Sequence, residues 1–384
     1  MGPELDRALA GACSLLRPGH GAIPARVVAR VVARVVARRS ARENTRALAF
    51  VVASVLALAS VGCRADVQVA ITEEPVRVAT EEGFELAGTL TRPARSGASR
   101  PAPVVLLVGG SGPQDRDGAR VELAGYRPFR DLADAFATAG IATLRLDDRG
   151  TGASSGRFAG ATTRDFARDA GVALRWLRGR PDVDGARPIV LGHSEGALVA
   201  LLVAEADSEI AALVLLGAPS RPGRELARWQ RDEFVLADPA TFPPQTRADV
   251  LSRAERTAER AAEGDPWLRE WFALDPRVIA RATRAPVLLL HGENDRQVPV
   301  QQAEELAGVL LARRQTGTVR PPASVHTAGL SSVTLQRFPA TDHLFLEDYD
   351  GDPRGYVRLA SREVRKDVSD AIVAWLRTRF DTLR

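Results

Sequence analysis

Gly192-His193-Ser194-Glu195-Gly196 sets a serine between two glycines, after the apolar run Pro188-Ile189-Val190-Leu191 and before the helix-forming run Ala197 to Ala206. That order predicts a strand, a sharp turn and a helix, with the serine hydroxyl exposed at the apex. The flanking glycines let strand and helix approach closely. The Glu195 N–H then opens a helix, where developing negative charge is stabilised. The chemistry this suits is nucleophilic attack by Ser194 on an acyl carbon.

A hydroxyl becomes a good nucleophile when a base takes its proton, and the usual base is histidine. The chain has five: His20, His193, His291, His326 and His343. His20 lies in an N-terminal leader, His193 belongs to the turn and is expected to point away from its neighbour, His291 ends a strand, and His326 falls in an insertion. His343, in Ala340-Thr-Asp-His-Leu-Phe345, follows the last predicted strand and is the expected base. The group that orients the ring and stabilises its cation is expected to be Asp295, in His291-Gly-Glu-Asn-Asp295, with Glu293 as the alternative. The chain order is then Ser194, Asp295, His343. Oxyanion donors are expected from the Glu195 N–H and from Gly109-Gly-Ser-Gly-Pro113, where Ser111 N–H is the first choice and Gly110 N–H the second.

From about Val76 onward the chain resembles an α/β-hydrolase, of the bacterial carboxylesterase-like branch related to dienelactone hydrolases and the prolyl-oligopeptidase catalytic domain. The residues that carry the resemblance are Gly109 to Pro113, Leu146-Asp-Asp-Arg-Gly-Thr-Gly152 with Ser154, Gly192 to Gly196, Gly292 to Pro299 around Asp295, and Asp342-His343. The resemblance implies an eight-stranded sheet, a Ser-His-Asp triad and an oxyanion loop. Relatives usually carry histidine where this chain has Gly109. A dehalogenase relative would carry aspartate at the nucleophile position. The implied activity is hydrolysis of small-molecule carboxylic esters through an acyl-enzyme, with no cofactor. A peptidase or amidase, an acyltransferase and a catalytically silent envelope-binding module remain as alternatives.

The elements that must position these groups alternate. Val76-Thr80 and Phe84-Thr91 read as a hairpin, and Val104-Val108 as a strand buried on both faces. Phe129, Leu132, Ala133, Phe136 and Ala137 share one helix face. Ile141-Leu146 is a strand. A helix comes next that Thr163 is expected to cap. Ile210-Leu216, Pro286-Leu290 and Val333-Phe338 are strands, and a last helix carries Val364, Val368, Ile372 and Trp375. This predicts an α/β fold with a mainly parallel, twisted sheet, helices on both faces and an antiparallel edge. The hydrolase core is assigned to 64–219 and 285–384. Residues 220–284, with Trp229, Phe234, Trp267, Trp271 and Phe272, read as a helical cap insertion, and Arg313 to Leu330 as a second, loop-like one.

Composition narrows the function classes. Residues 1–63 hold nine arginines against Glu4, Asp6 and Glu43, a net of +6, which leaves −2 for the rest of a chain whose formal charge is +4. The core therefore has no overall electrostatic case for nucleic acid. The cysteines are Cys13 and Cys63, so a cysteine nucleophile or cysteine metal cluster in the core is excluded. Asp348-Tyr-Asp350-Gly-Asp352 reads as a solvated turn: its glycine is misplaced for calcium, and no metal is expected. Asp147, Asp148 and Arg149 read as turn bracing, and the Glu195 side chain as a packing or ion-pair residue. Arg42 and Arg46, the apolar run Ala47 to Val61 and Gly62-Cys63 resemble an export signal ending in a lipoprotein cysteine, with Ser60 where such signals carry leucine. Export to the cell envelope is expected, with membrane attachment through the N-terminus if Cys63 is lipidated. The arginine-spaced repeat from Val27 to Arg38 is read as lying upstream of the natural start.

Overall fold

The computed structural model describes residues 71–93, 101–313 and 332–379. The leader with Cys63, His20, His326 and the stretch 314–331 of the second insertion lie outside the described residues. The chain divides into Met1–Val67 and Gln68–Arg384, and all the described residues belong to the second unit.

Strand β1 (Ile71–Ala79) pairs antiparallel with β2 (Glu85–Pro93), Val76 facing Gly88, around a turn in which Gly83 has φ 85°. Both strands are longer than their apolar alternation predicts. The extension carries Glu73 and Glu74, which reach Arg145, Arg92 and Arg180, so ion pairs rather than apolar side chains occupy that end. The remaining strands are β3 (Val104–Val108), β4 (Ala142–Leu146), β5 (Ile189–His193), β6 (Ala212–Leu216), β7 (Val287–Gly292) and β8 (Val333–Phe338). One sheet holds all eight in the order β1-β2-β4-β3-β5-β6-β7-β8. From β4 to β8 every pairing is parallel. β6 starts two residues later than the apolar run, and β7 runs two residues beyond it, which places His291 inside the sheet.

Alternate residues of the central strands feed two cores, as side chains alternate across a strand. Val104, Leu106, Val190, Leu213 and Leu289 meet α2 (Thr163–Arg178), α3 (Glu195–Ala206) and later helices on one face. Val105, Leu107, Leu191, Val214 and Leu290 meet α1 (Pro128–Thr138) and α9 (Lys366–Arg377) on the other. Helix α3 is apolar all round from Ala197 to Ala204, as a helix enclosed by protein must be. The cap of α2 is Thr162, not Thr163. Thr162 and Asp165 form a reciprocal capping box, which releases the Thr163 hydroxyl for another partner.

Between β6 and β7 lie four helices: α4 (Gly223–Leu236), α5 (Pro244–Gly264), α6 (Pro266–Ala273) and α7 (Pro276–Ala282). Trp271, Phe272, Leu226 and Ala262 of this segment cluster with Leu198 of α3 and with Val298. Helix α8 (Gln301–Ala312) then leads toward β8.

The elbow between β5 and α3 depends on absent side chains. A Cβ at Gly192 would overlap the Gly196 carbonyl, and one at Gly196 would overlap the carbonyls of Val108 and Gly109. Replacing Gly192 by Ala is therefore expected to cost at least about 2 kcal/mol of stability by overpacking, measured as a lowered urea midpoint. An unchanged midpoint would show that the backbone there moves freely.

Candidate active site

Loops leaving β3, β5, β7 and β8 all emerge at the same edge, because these strands are parallel. The sequence-predicted residues sit on these four loops.

Ser194 has φ 56° and ψ −118°, a left-handed backbone that a serine adopts only under constraint. The constraint includes its N–H, which donates to Leu216 O at 2.8 Å, so β6 fixes the apex of the turn. Ser194 is half-buried, and Glu195 begins α3. Gly110 lies against it: a Cβ at Gly110 would stand 3.2 Å from Ser194 Cβ. Ser111, one residue further, is exposed. The candidate oxyanion loop thus runs beside the serine. Gln114 fills the space that a side chain at 109 would need, its Oε1 2.6 Å from where a Cβ would be, which accounts for glycine at that position.

Asp295 is buried, and both of its oxygens are engaged. Oδ1 accepts from the N–H groups of Gln297 and Val298, each at 2.8 Å. Oδ2 lies 2.7 Å from His343 Nδ1 and 3.2 Å from His291 Nε2. Burial alone would raise the pKa of this carboxyl. The adjoining His343 with its hydrogen bond, and the nearby His291, outweigh it and hold the group well below the usual carboxylate range. An ionised Asp295 accepts a hydrogen bond from His343 Nδ1–H, leaving Nε2 as the free acceptor of the ring. Glu293, the alternative, instead lies 3.7 Å from Arg337.

The His343 loop is held from several sides. Asp342 Oδ1 accepts from the N–H groups of Leu344 and Leu346 at 2.9 Å. Tyr126 donates its hydroxyl to Leu344 O at 3.1 Å. Arg365 donates to the carbonyls of Pro339 and Ala340. His193 turns to the histidine loop: its Nε2 bonds His343 O at 2.8 Å, and the two rings stand 4.8 Å apart. Burial pushes the His193 pKa down to about 3, so the ring is neutral at physiological pH and donates to the carbonyl through Nε2–H. The residue beside the serine therefore carries the histidine loop to the elbow. Gly217, at the end of β6 with φ 56°, leaves room for the same ring: a Cβ there would be 3.1 Å from His343. Among the described residues no hydrogen bond joins Ser194 Oγ to His343. Catalytic hydrogen bonds often tighten only when substrate binds.

Sequence reading does not anticipate the parts played by His193, His291, Tyr126 and Gly217. His291 is recoverable, since it stands four residues before Asp295 at a strand end. The others depend on contacts between distant segments. Asp147 and Arg149 brace loops, as expected: Asp147 binds Arg116 through both oxygens, and Arg149 binds Asp169 at 2.7 Å. Asp148 accepts from Gln114 N–H, and burial raises its pKa to about 7. Glu195 makes hydrogen bonds rather than an ion pair, to Thr163 and Trp267. No cluster of potential metal ligands occurs among the described residues. The cavity of about 770 Å³ beside α7 and α8, lined by Arg221, Arg277, Arg281 and Glu305, contains none of the candidate residues.

A family model described as serine aminopeptidase, S33, matches residues 125–323. The chain belongs to this α/β-hydrolase family. Esterase EstD of Thermotoga maritima is 31% identical over 295 residues, covering 76% of this chain and 65% of EstD. An uncharacterized peptidase of Bacillus subtilis, YuxL, is 24% identical over 71% of this chain and 38% of its own length. The chain thus spans just under two thirds of EstD. Among solved structures, the Pyrococcus furiosus esterase Pf2001 superposes with a TM-score of 0.51 at 17% identity, covering 80% of this chain and 91% of that one, which establishes likeness of fold.

Burial and the nearby Asp348 raise the pKa of Asp342 to about 7, the backbone hydrogen bonds opposing them. Its Oδ2 has no hydrogen-bond partner among the described residues. A carboxyl with a raised folded-state pKa contributes stability that is fully present below its unfolded value of 3.8 and lost as pH rises through about 7. Asp342→Asn carries no such loss. The urea midpoint of the wild type should therefore fall relative to the variant between pH 4 and pH 7, with a constant difference above pH 8. A difference independent of pH across that window would show that Asp342 is ionised throughout.

Proposed function

We propose that the protein is a serine hydrolase that cleaves small-molecule carboxylic esters through an acyl-enzyme. Ser194 Oγ attacks the ester carbonyl carbon while His343 Nε2 takes the hydroxyl proton. The tetrahedral oxyanion is received by the N–H of Glu195 and by that of Ser111 or Gly110. None of these three N–H groups donates to a protein acceptor among the described residues. Collapse breaks the ester C–O bond, and His343 returns its proton to the departing alkoxide. Water then attacks the acyl-serine by the same route, releasing acid and restoring Ser194. Asp295 orients His343 and balances the imidazolium charge. Residues 220–284 act as a cap over the acyl or leaving-group side.

The observation that carries this reading is the 2.7 Å Asp295–His343 hydrogen bond on a loop that His193 fastens to the elbow of Ser194. The likeness to EstD supports an ester as substrate. A peptide amide is the second reading, favoured by the aminopeptidase description of the matching family. Matched p-nitrophenyl acetate and aminoacyl p-nitroanilide substrates separate the two.

Ser194→Ala should lower kcat on p-nitrophenyl acetate by about 10⁴-fold or more, and Asp295→Asn by about 10²–10⁴-fold, with folding retained by circular dichroism. Ester turnover surviving in Ser194→Ala would reject the mechanism. We further propose that the leader directs export. Intact mass of the natural product should lack the residues before Cys63, and retention of Met1 would contradict export.

A further inference from the structure

The residue whose N–H is assigned to the oxyanion has a side chain that leaves its own helix. Glu195 is 4% exposed, and a buried carboxylate must find donors. It finds two on one oxygen: Thr163 Oγ1 at 2.7 Å and Trp267 Nε1 at 2.8 Å. Thr163 stands at the start of α2, in the core. Trp267 stands on α6, in the insertion. We propose that Glu195 is a positioning residue: its carboxylate ties the oxyanion N–H to the helical insertion through the Trp267 indole. Docking of the insertion and alignment of the donor then become a single event. The inference rests on the hydrolase reading, which assigns the Glu195 N–H to the oxyanion.

The indole is a firm anchor. Trp267 stacks on Trp271 with ring centroids 5.4 Å apart and planes 8° from parallel. Trp271 packs where a Cβ at Gly223 would collide with its ring, at the start of α4. Helix α6 is also clamped to α2, with Arg164 N–H donating to Glu270 Oε2 at 3.0 Å. Helix α4 is held to the Asp295 loop by Arg296–Glu233 at 3.0 Å and by Gln230 Nε2 donating to Gln297 O at 2.8 Å. The insertion thus grips the acid loop and the elbow at once. Leu198, one turn along α3, and Val298, three residues past Asp295, complete the seat. If the insertion lifted away, Glu195 would lose a buried donor. Its carboxylate would seek water, and the first peptide of α3 would lose its alignment.

The test is steady-state kinetics of the full chain on p-nitrophenyl acetate. Glu195→Gln keeps an oxygen that accepts both hydrogen bonds, and should stay within about threefold of wild type. Glu195→Leu and Trp267→Phe should each lower kcat by about 10–100-fold with KM within about threefold. The double variant should be no worse than Glu195→Leu alone. Trp375→Phe, which loses an indole hydrogen bond to Thr334 on the far face of the sheet, should leave kcat unchanged. Wild-type kcat in Trp267→Phe, an effect on KM alone, or losses that multiply in the double variant would overturn the proposal. If Glu195→Leu does not fold, Trp267→Phe against Trp375→Phe decides. Absence of Ser194-dependent turnover in the wild type would sink the hydrolase reading instead. The tether would then be judged by trypsin cleavage of the arginine-rich α5, faster in Trp267→Phe if the latch exists and unchanged if it does not.

Discussion

A buried carboxylate can stay ionised only where enough donors replace its water, and Asp295 has three, two backbone N–H groups and the His343 imidazole, with His291 Nε2 3.2 Å away. Removing the ion from solvent costs several kcal/mol before those bonds repay it. The repayment requires the loops after β7 and β8 to meet at one distance, and that requirement organises the edge of the sheet. His291 must extend β7 by a residue beyond its apolar run. Gly292 must be glycine, since a Cβ there would overlap the carbonyl of Thr341. The His343 loop must be held by its own aspartate, by Tyr126 and by His193. Each of these features serves one 2.7 Å contact between a carboxylate and a ring.

The same edge shows how the serine side is built. Ser194 takes a left-handed backbone that costs of order 1–3 kcal/mol, and the surroundings over-determine it. Leu216 accepts its N–H, Gly192 and Gly196 allow backbone to touch backbone, and the wholly buried α3 anchors the C-terminal side of the turn. The polar bonds of His193 and Glu195, on either side of the serine, point to opposite structures: one to the histidine loop, the other to the helical insertion. The elbow therefore bonds directly to both the histidine loop and the helical insertion.

Much of this is legible in the sequence, for identifiable reasons. Strands such as Val104–Val108 and Ala212–Leu216 are enclosed on both faces, so they read as unbroken apolar runs. Ser194, Asp295 and His343 each lie just past such a run, and parallel strands bring their ends to one edge. What the sequence hides is what depends on contact across long separations. Thr163 looks like a helix cap until Thr162 is seen to take that place and Thr163 to face Glu195, 32 residues away. Strand β1 extends beyond its apolar alternation because charged residues paired with arginines hold its first half. Trp267 looks like one aromatic among several in an insertion without clear periodicity, and only its 2.8 Å bond to Glu195 singles it out.

Under the proposed mechanism His343, oriented by Asp295, makes the Ser194 hydroxyl reactive. Covalent labelling by a fluorophosphonate, mapped by peptide mass spectrometry, tests that dependence at the reacting atom itself. The wild type should be modified at Ser194 and nowhere else, and the modification should be lost in His343→Ala. Labelling at another residue, or at Ser194 with an undiminished rate when His343 is absent, would contradict the mechanism.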